Sequence, residues 1–415
     1  MIRFVHTADI HFGVENYGKI DPATGIHTRL LDFERALDFC IEYAIKEQVD
    51  FFLFSGDAYK TTNPSPTQQR LLLKCFLKLH KAQIPLVMVV GNHDNPLSFG
   101  KAHTLDLFND LPLSGFHVMA KPHAFVLQTK SGPVNIVGLP WPNRTTIATS
   151  QNHMFKSAGE LTDYISQSTV AILQHLITQL DPHLPSVLAG HLTVSSGIFS
   201  GSEKRAVYGN DPLFLPSQLA IAPFDYVGLG HLHRFQDLNE HAHPPVVYSG
   251  SPERIDFGER KEEKGFCDVR ISQKGKTSYE FIKTPARPFI QIEVHLQPDC
   301  DHTQQILDAL KQHDIAQAIL KIVYHVPPTV KDTVDLSKIE RTCASALHVV
   351  GIIPVHQPKS REKRSNLKVD MDLETILDLY FSGKPELAAQ KEMLIAKALA
   401  LKDELATSEI MNENN

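Results

Sequence analysis

The sequence predicts an α/β fold followed by a small α+β unit and C-terminal helices, on three observations. Short apolar runs alternate with segments of helical spacing up to about residue 285, the βα rhythm of a largely parallel sheet. Most of these runs stop abruptly at Gly, Asp, Asn or His, which is how open α/β sheets end at the edge where ligands bind. After Pro285 and Pro288 a second, shorter alternation of strand and helix begins.

Taken in order, Ile2–Val5 predicts a strand that runs into His6-Thr7-Ala8-Asp9-Ile10-His11. If the backbone stays extended there, Asp9 and His11 point to one side, because strand side chains repeat every two residues. Residues 12–28 read as a loop. Leu30, Phe33, Leu37, Cys40, Ile41, Ala44 and Ile45 carry helical spacing over 30–48. Phe51–Phe54 predicts a buried strand ending in Ser55-Gly56-Asp57, and 67–80 a second helix. Leu86–Val90 predicts a strand buried on both faces, since nothing in it alternates; it ends in Gly91-Asn92-His93-Asp94. Strand–helix–strand–helix–strand implies right-handed parallel crossovers.

A short helix is predicted over 103–108 and strands near 116–119, 123–129 and 134–139. Trp141, the only tryptophan, follows a proline and reads as a packing residue. A helix is predicted over 161–180. Three more strands end in Gly190-His191, in Gly230-His231-Leu232-His233 and in Ser249-Gly250-Ser251, and strands near 265–271 and 277–283 close this part. Residues 1–285 are therefore expected as one domain. Residues 286–368, a strand–helix–strand–helix–strand unit with a basic end (Lys359, Arg361, Lys363, Arg364, Lys368), are expected as a second. Residues 369–415 hold two helices, one with Leu373, Ile376, Leu377 and Tyr380 on a face. The other starts at Glu386 and carries Leu394, Ala398, Leu401 and Leu405 at coiled-coil spacing.

Composition narrows the function. The 415 residues are 42% hydrophobic and 21% charged, with net charge −6, which argues against a protein coated in basic charge. Five scattered cysteines with no CxxC pair suit a reducing, cytoplasmic setting and exclude a cysteine zinc site. No apolar run reaches membrane-spanning length, so no membrane partner is expected.

Collected, the strand ends supply Asp9, His11, Asp57, Asn92, His93, His191, His231 and His233. Carboxylate, imidazole and an amide oxygen without thiolate select a Mn, Fe, Zn or Mg centre. There are enough ligands for two ions if one bridges, and Asp57, with two carboxylate oxygens, is the natural bridge. Two divalent cations against two carboxylates leave a positive site suited to a phosphate ester and its in-line displacement. If adjacent side chains diverge, Asn92 is the better ligand of its pair, which leaves His93 to protonate the leaving oxygen with Asp94 fixing its tautomer.

D-x-H, G-D, G-N-H-D, G-H and G-H-x-H in this order resemble the calcineurin-like metallophosphoesterases. His6 to Gly13, Tyr248 to Glu253 and the unit after Pro285 are similar to the SbcD-type nuclease subunits of bacterial double-strand-break repair. That resemblance implies a two-sheet sandwich flanked by helices. One manganese ion would be held by Asp9, His11, Asp57 and His233, the other by Asp57, Asn92, His191 and His231. His93 would act on the leaving group, supported by Asp94. The unit at 286–368 would be a cap governing access of single- and double-stranded DNA ends. The C-terminal helices would bind an SbcC-type coiled-coil ATPase, their folding back on the first domain being the competing expectation. The subunit would form a homodimer, for which the helix at 67–80 is apolar on more than one face, as burial within one subunit would also make it. Lys60, where some relatives carry a histidine, and Ser251 are the substrate-binding candidates. The competing expectation is a phosphodiesterase or phosphatase of the same fold acting on small nucleotides or phosphoproteins; a metal-free scaffold would be expected to lose ligands.

Overall fold

A computed structural model of the chain describes residues 1–96, 101–142, 158–201, 211–328, 330–356, 373–382, 387 and 390–412. The basic segment from Lys359 to Lys368 lies outside the described residues. The chain divides into two units. One comprises Met1–Ile292, Lys311–Lys321 and Glu340–Gly351; the other comprises Glu293–Leu310, Ile322–Ile339 and Ile352–Asn415.

The first unit holds two six-stranded sheets. In one, β1 (Ile2–Thr7), β2 (Phe51–Phe54), β3 (Leu86–Val89) and β4 (Phe116–Met119) run parallel; β13 (Gly265–Gln273) and β14 (Lys276–Lys283) extend it antiparallel beyond β1. In the other, β12 (Val246–Tyr248), β10 (Tyr226–Gly230), β7 (Ser186–His191) and β6 (Gly132–Leu139) run parallel. Antiparallel edge strands β11 (Gln236–Asp237) and β5 (His123–Thr129) flank them. Two short strands, β8 (Thr193–Val194) and β9 (Leu213–Phe214), pair in parallel with each other.

Burial of β2 and β3 on both faces explains why their sequences do not alternate. Phe52, Phe54, Leu86 and Met88 pack outward under helices α1 (Thr28–Lys46) and α2 (Pro66–Lys81). Phe51, Leu53, Val87 and Val89 point the other way and meet Ile136, Val187, Ala189 and Val247 of the second sheet. The short helix expected over 103–108 is α3 (Asp106–Asp110), whose Phe108 joins the first cluster. A third apolar cluster covers the second sheet's far side, where Leu173 and Leu176 of α4 (Ala158–Ile177) lie with Leu188, Val227 and Val246. Leu219 of α5 (Pro216–Leu219), a single turn that apolar spacing did not reveal, belongs to the same cluster. The result is helix, sheet, sheet, helix, the sandwich that the family resemblance implied. α2 begins one residue earlier than its apolar spacing suggested. Pro66 is its first residue, Ser65 caps it, and Gln68 closes a capping box.

The interior between the sheets contains a polar chain. His6 Nδ1 lies 3.0 Å from the Tyr226 hydroxyl and Nε2 3.2 Å from Ser55 Oγ, and Ser55 donates to the Gly228 carbonyl. His6 is fully buried, and burial pushes its pKa down to about 3, so it is neutral there.

Beyond Pro285 the order is β15 (Phe289–His295), α6 (His302–Leu310), β16 (Ile319–Val326), α7 (Leu336–Thr342) and β17 (His348–His356), with the sheet order β15-β16-β17. The last two helices are α8 (Leu373–Ser382) and α9 (Lys391–Asn412), the latter starting after the expected Glu386. No helix among the described residues is long and apolar enough to cross a membrane.

Candidate metal centre

The loops after β1, β2, β3, β7 and β10 converge. The first two lie side by side: Asp9 N–H donates to the Gly56 carbonyl at 2.9 Å, His11 N–H to the Asp57 carbonyl at 3.1 Å, and Phe12 N–H to the Ala58 carbonyl at 2.9 Å. The chain is not extended here. Asp9, His11 and Asp57 have φ of 56°, 48° and 57°, the left-handed region that non-glycine residues seldom occupy. Asp9 and His11 therefore come together through left-handed backbone beyond the end of β1 and not through strand alternation, which corrects the sequence expectation. Gly91 allows the loops to close: a Cβ on it would sit 2.1 Å from Asp57 Oδ1.

Two groups of donors result. Asp9, His11 and His233 bring ligand atoms together in one; Asp57, His191 and His231 in the other. Asp57 Oδ2 lies 3.5 Å from His11 Nε2 and 3.4 Å from His191 Nε2, so it faces both. Asn92 joins the second group, its Oδ1 at 2.9 Å from His191 Nε2 and 3.2 Å from His231 Nδ1. The Asp9 carboxylate accepts the His231 N–H at 3.0 Å, tying the first sheet's loop to the second's. Asp9, His11, Asp57, His191, His231 and His233 are all buried.

The donor set fits a pair of cations. His191 Nδ1 lies 2.8 Å from the Ser55 carbonyl and must donate to it, which leaves Nε2 to face the Asn92 and Asp57 oxygens. Three acceptors crowding one point call for a cation or a proton. Burial works to lower the pKa of His191, but the Asp57 carboxylate overrides it and lifts it to about 9, so without metal a proton stands there. Burial holds His11 well below the usual histidine range and lowers His231 to about 3, keeping both neutral as metal ligands must be. Burial lifts Asp9 to about 7; against the same burial, His191 and the other imidazoles hold Asp57 well below the usual carboxylate range.

His93 sits beside the donors, its ring 4.9 Å from that of His11 and its main-chain N–H donating to Asp57 Oδ1 at 2.9 Å. It comes close enough to His11 and Asp57 to form a third group with them, less buried than the other two. The expected pairing of His93 with Asp94 is not made. His93 Nδ1 meets the Lys60 carbonyl at 2.9 Å. The buried Asp94 carboxylate instead accepts the N–H groups of Asp57, Ala58, Tyr59 and Gly91 and the Thr104 hydroxyl. Asp94 therefore shapes the Asp57 loop, and a main-chain carbonyl sets the His93 tautomer. Lys60 is exposed beside His93. Ser251, expected at the substrate, is buried; its N–H donates to the His233 carbonyl at 3.0 Å, and its hydroxyl has no partner among the described residues.

Two features escaped the sequence reading. Trp141, read as packing, lies with its ring 4.9 Å from that of His231 and 6.0 Å from that of His191, half-buried at the rim. Glu259, buried in a short 3₁₀ turn (Phe257–Glu259), receives His233 Nδ1 on Oε1 at 2.9 Å and Lys264 Nζ on Oε2 at 2.8 Å. Burial opposes its charge, yet Lys264 and His233 hold its pKa at about 2.

A family model described as calcineurin-like phosphoesterase matches residues 2–235, a span that includes every expected ligand and stops short of Glu259. Three solved structures are similar. A dimetal phosphatase from Danio rerio is 12% identical, with 68% of this chain and 99% of that chain covered and a TM-score of 0.39. The protein TT1561 of Thermus thermophilus is 14% identical, with 68% and 99% covered and a TM-score of 0.35. The purple acid phosphatase PPD1 from yellow lupin (Lupinus luteus) seeds is 14% identical, with 68% and 51% covered and a TM-score of 0.37.

Proposed function

The chain belongs to the calcineurin-like phosphoesterase family, and from that premise we propose that it hydrolyses phosphodiester bonds in DNA, as the nuclease subunit of an SbcCD-like repair complex. The observation that carries the hydrolytic part is the pair of donor groups facing Asp57, with His93 alongside. In this reading Asp9, His11, Asp57 and His233 hold one ion, and Asp57, Asn92, His191 and His231 the other, manganese being the ion of choice. Two such ions, when bound, supply Lewis acidity toward phosphoryl oxygens and lower the pKa of water.

The protein's own groups do the rest. Asp57 keeps the two positions together. His93 keeps its Nδ1 proton on the Lys60 carbonyl, which leaves Nε2 to carry a proton to the departing oxygen. Lys60, exposed next to it, offers a point charge to a neighbouring phosphate. The half-buried Trp141 offers an apolar ring at the rim.

The nucleic-acid part rests on the stretches His6–Gly13 and Tyr248–Glu253 and on the α+β unit after Pro285, which are similar to SbcD-type nucleases. The same resemblance supports an SbcC-type ATPase bound through α8 and α9. It also supports a homodimer through α2, where Leu73 and Leu77 stay partly exposed while Leu72 and Phe76 are buried. The test is hydrolysis of single- and double-stranded DNA with manganese, beside bis-nitrophenyl phosphate, small cyclic nucleotides and a phosphopeptide. Cleavage of DNA that is lost in His93→Ala is the expected result. Turnover of the small phosphoesters or phosphopeptide with DNA untouched would replace this reading with that of a phosphodiesterase or phosphatase.

A further inference from the structure

We infer that Glu259 and Lys264 are a positioning pair that sets the metal affinity of the His233 position separately from that of the His191 position. The inference rests on the reading that these histidines hold metal.

The two histidines are oriented by chemically different partners. His191 Nδ1 faces a neutral main-chain carbonyl, that of Ser55 at 2.8 Å. His233 Nδ1 faces a carboxylate, Glu259 Oε1 at 2.9 Å. Each contact keeps the proton on Nδ1 and turns Nε2 inward, and His233 Nε2 ends 3.1 Å from His11 Nε2. A carboxylate partner does more than orient: it raises the basicity of the imidazole it accepts from, and so the strength of the bond on the other nitrogen.

Glu259 is well placed for that role. It is fully buried, so no water competes for it. Its second oxygen takes the Ile255 N–H at 2.9 Å and Lys264 Nζ at 2.8 Å. Lys264, itself buried, donates as well to the His233 carbonyl at 3.0 Å and to Glu262 at 3.1 Å, so its three N–H bonds each have an acceptor. The lysine thus grips His233 at its backbone while the glutamate grips its ring. An ion pair wanted for stability alone is replaceable by apolar side chains; this one closes its circuit on a metal-centre histidine.

The test is titration calorimetry of the full chain, stripped of metal by a chelator, with Mn²⁺, alongside thermal unfolding of each metal-free variant. Glu259→Ala and Lys264→Met are expected to weaken one of two binding events about 10–100-fold and to leave the other within about twofold. Glu259→Gln, which keeps one acceptor oxygen and loses the charge, should weaken the same event less than Glu259→Ala, with a lowered unfolding temperature because the buried Lys264 loses its charged partner. If Glu259→Gln and Lys264→Met bind both ions like wild type while His233→Ala loses one, the pair has no positioning role. Equal weakening of both events in every variant would overturn it too. If His233→Ala itself keeps both events, the metal assignment under Proposed function fails instead.

Discussion

The main-chain N–H of Asp57 donates to the Asp94 carboxylate at 2.8 Å, and Asp57 in turn accepts the N–H of His93 on Oδ1 at 2.9 Å. The G-N-H-D motif thus holds the loop that carries the shared carboxylate. Asp94→Ala is expected to strip buried N–H groups of their acceptor at about 1–3 kcal/mol for a donor left unpaired. It should weaken metal binding through Asp57, with loss of stability and metal together. Unfolding in urea beside metal analysis checks this; a variant of wild-type stability that only loses turnover would return Asp94 to the role of His93's partner.

Asp57 faces both donor groups, whereas Asp9 belongs to one. Asp57→Ala is expected to empty both metal positions and Asp9→Ala mainly one. Metal content by mass spectrometry decides between them, and a full pair retained in the Asp57 variant would end its assignment as the bridge.

His93 commits Nδ1 to the Lys60 carbonyl and is needed to complete neither buried donor group. His93→Ala should therefore keep its metals and lose about 10²–10⁴ in turnover, the usual worth of general acid–base catalysis. Metal content and the rate on a phosphodiester are read on the same preparation. Loss of metal would make the residue a ligand.

His6 gives the fold a pH dependence. Buried neutral with a pKa of about 3, against 6.5 for the unfolded chain, it takes up no proton on the folded side until well below pH 4. Unfolded chains take theirs up below about 6.5. The contribution is therefore fully present above pH 6.5 and is lost as pH falls toward 3, at about 1.4 kcal/mol per unit. Urea unfolding of metal-free protein between pH 7 and 4.5 should show a shallower slope for His6→Gln than for wild type. Identical slopes would mean that His6 is protonated in the folded state.

The sequence made the layers legible because burial leaves a plain mark: Phe51–Phe54 and Leu86–Val89 are apolar throughout because both faces are covered. The candidate donors could be picked out because the apolar runs stop where open α/β sheets place ligands. Their geometry was not. Nothing local says that the chain turns left-handed at Asp9, or that Asp94 serves its neighbour loop and leaves His93 to a carbonyl. Glu259 was hidden for a different reason. Residues 253–264 are dense in Glu, Arg and Lys, residue types that mostly lie in solvent, yet Glu253, Glu259 and Lys264 are buried. Only tertiary contacts distinguish a charge in water from one enclosed with its partner.

The left-handed backbone at Asp9, His11 and Asp57 has an implication for which residues can occupy these positions at all. Aspartate, asparagine and histidine are the side-chain-bearing residues that best tolerate that conformation, and they are also oxygen and nitrogen donors to metal. Two filters, one conformational and one chemical, therefore pass nearly the same short alphabet. A glutamate at position 57 would retain the charge but meet the conformational penalty as well as a longer arm. A β-branched residue would meet the penalty with no donor to offset it. Saturation mutagenesis at positions 9, 11 and 57, scored for folding in the absence of metal, should consequently favour Asn, Asp, His and Gly before any catalytic selection is applied.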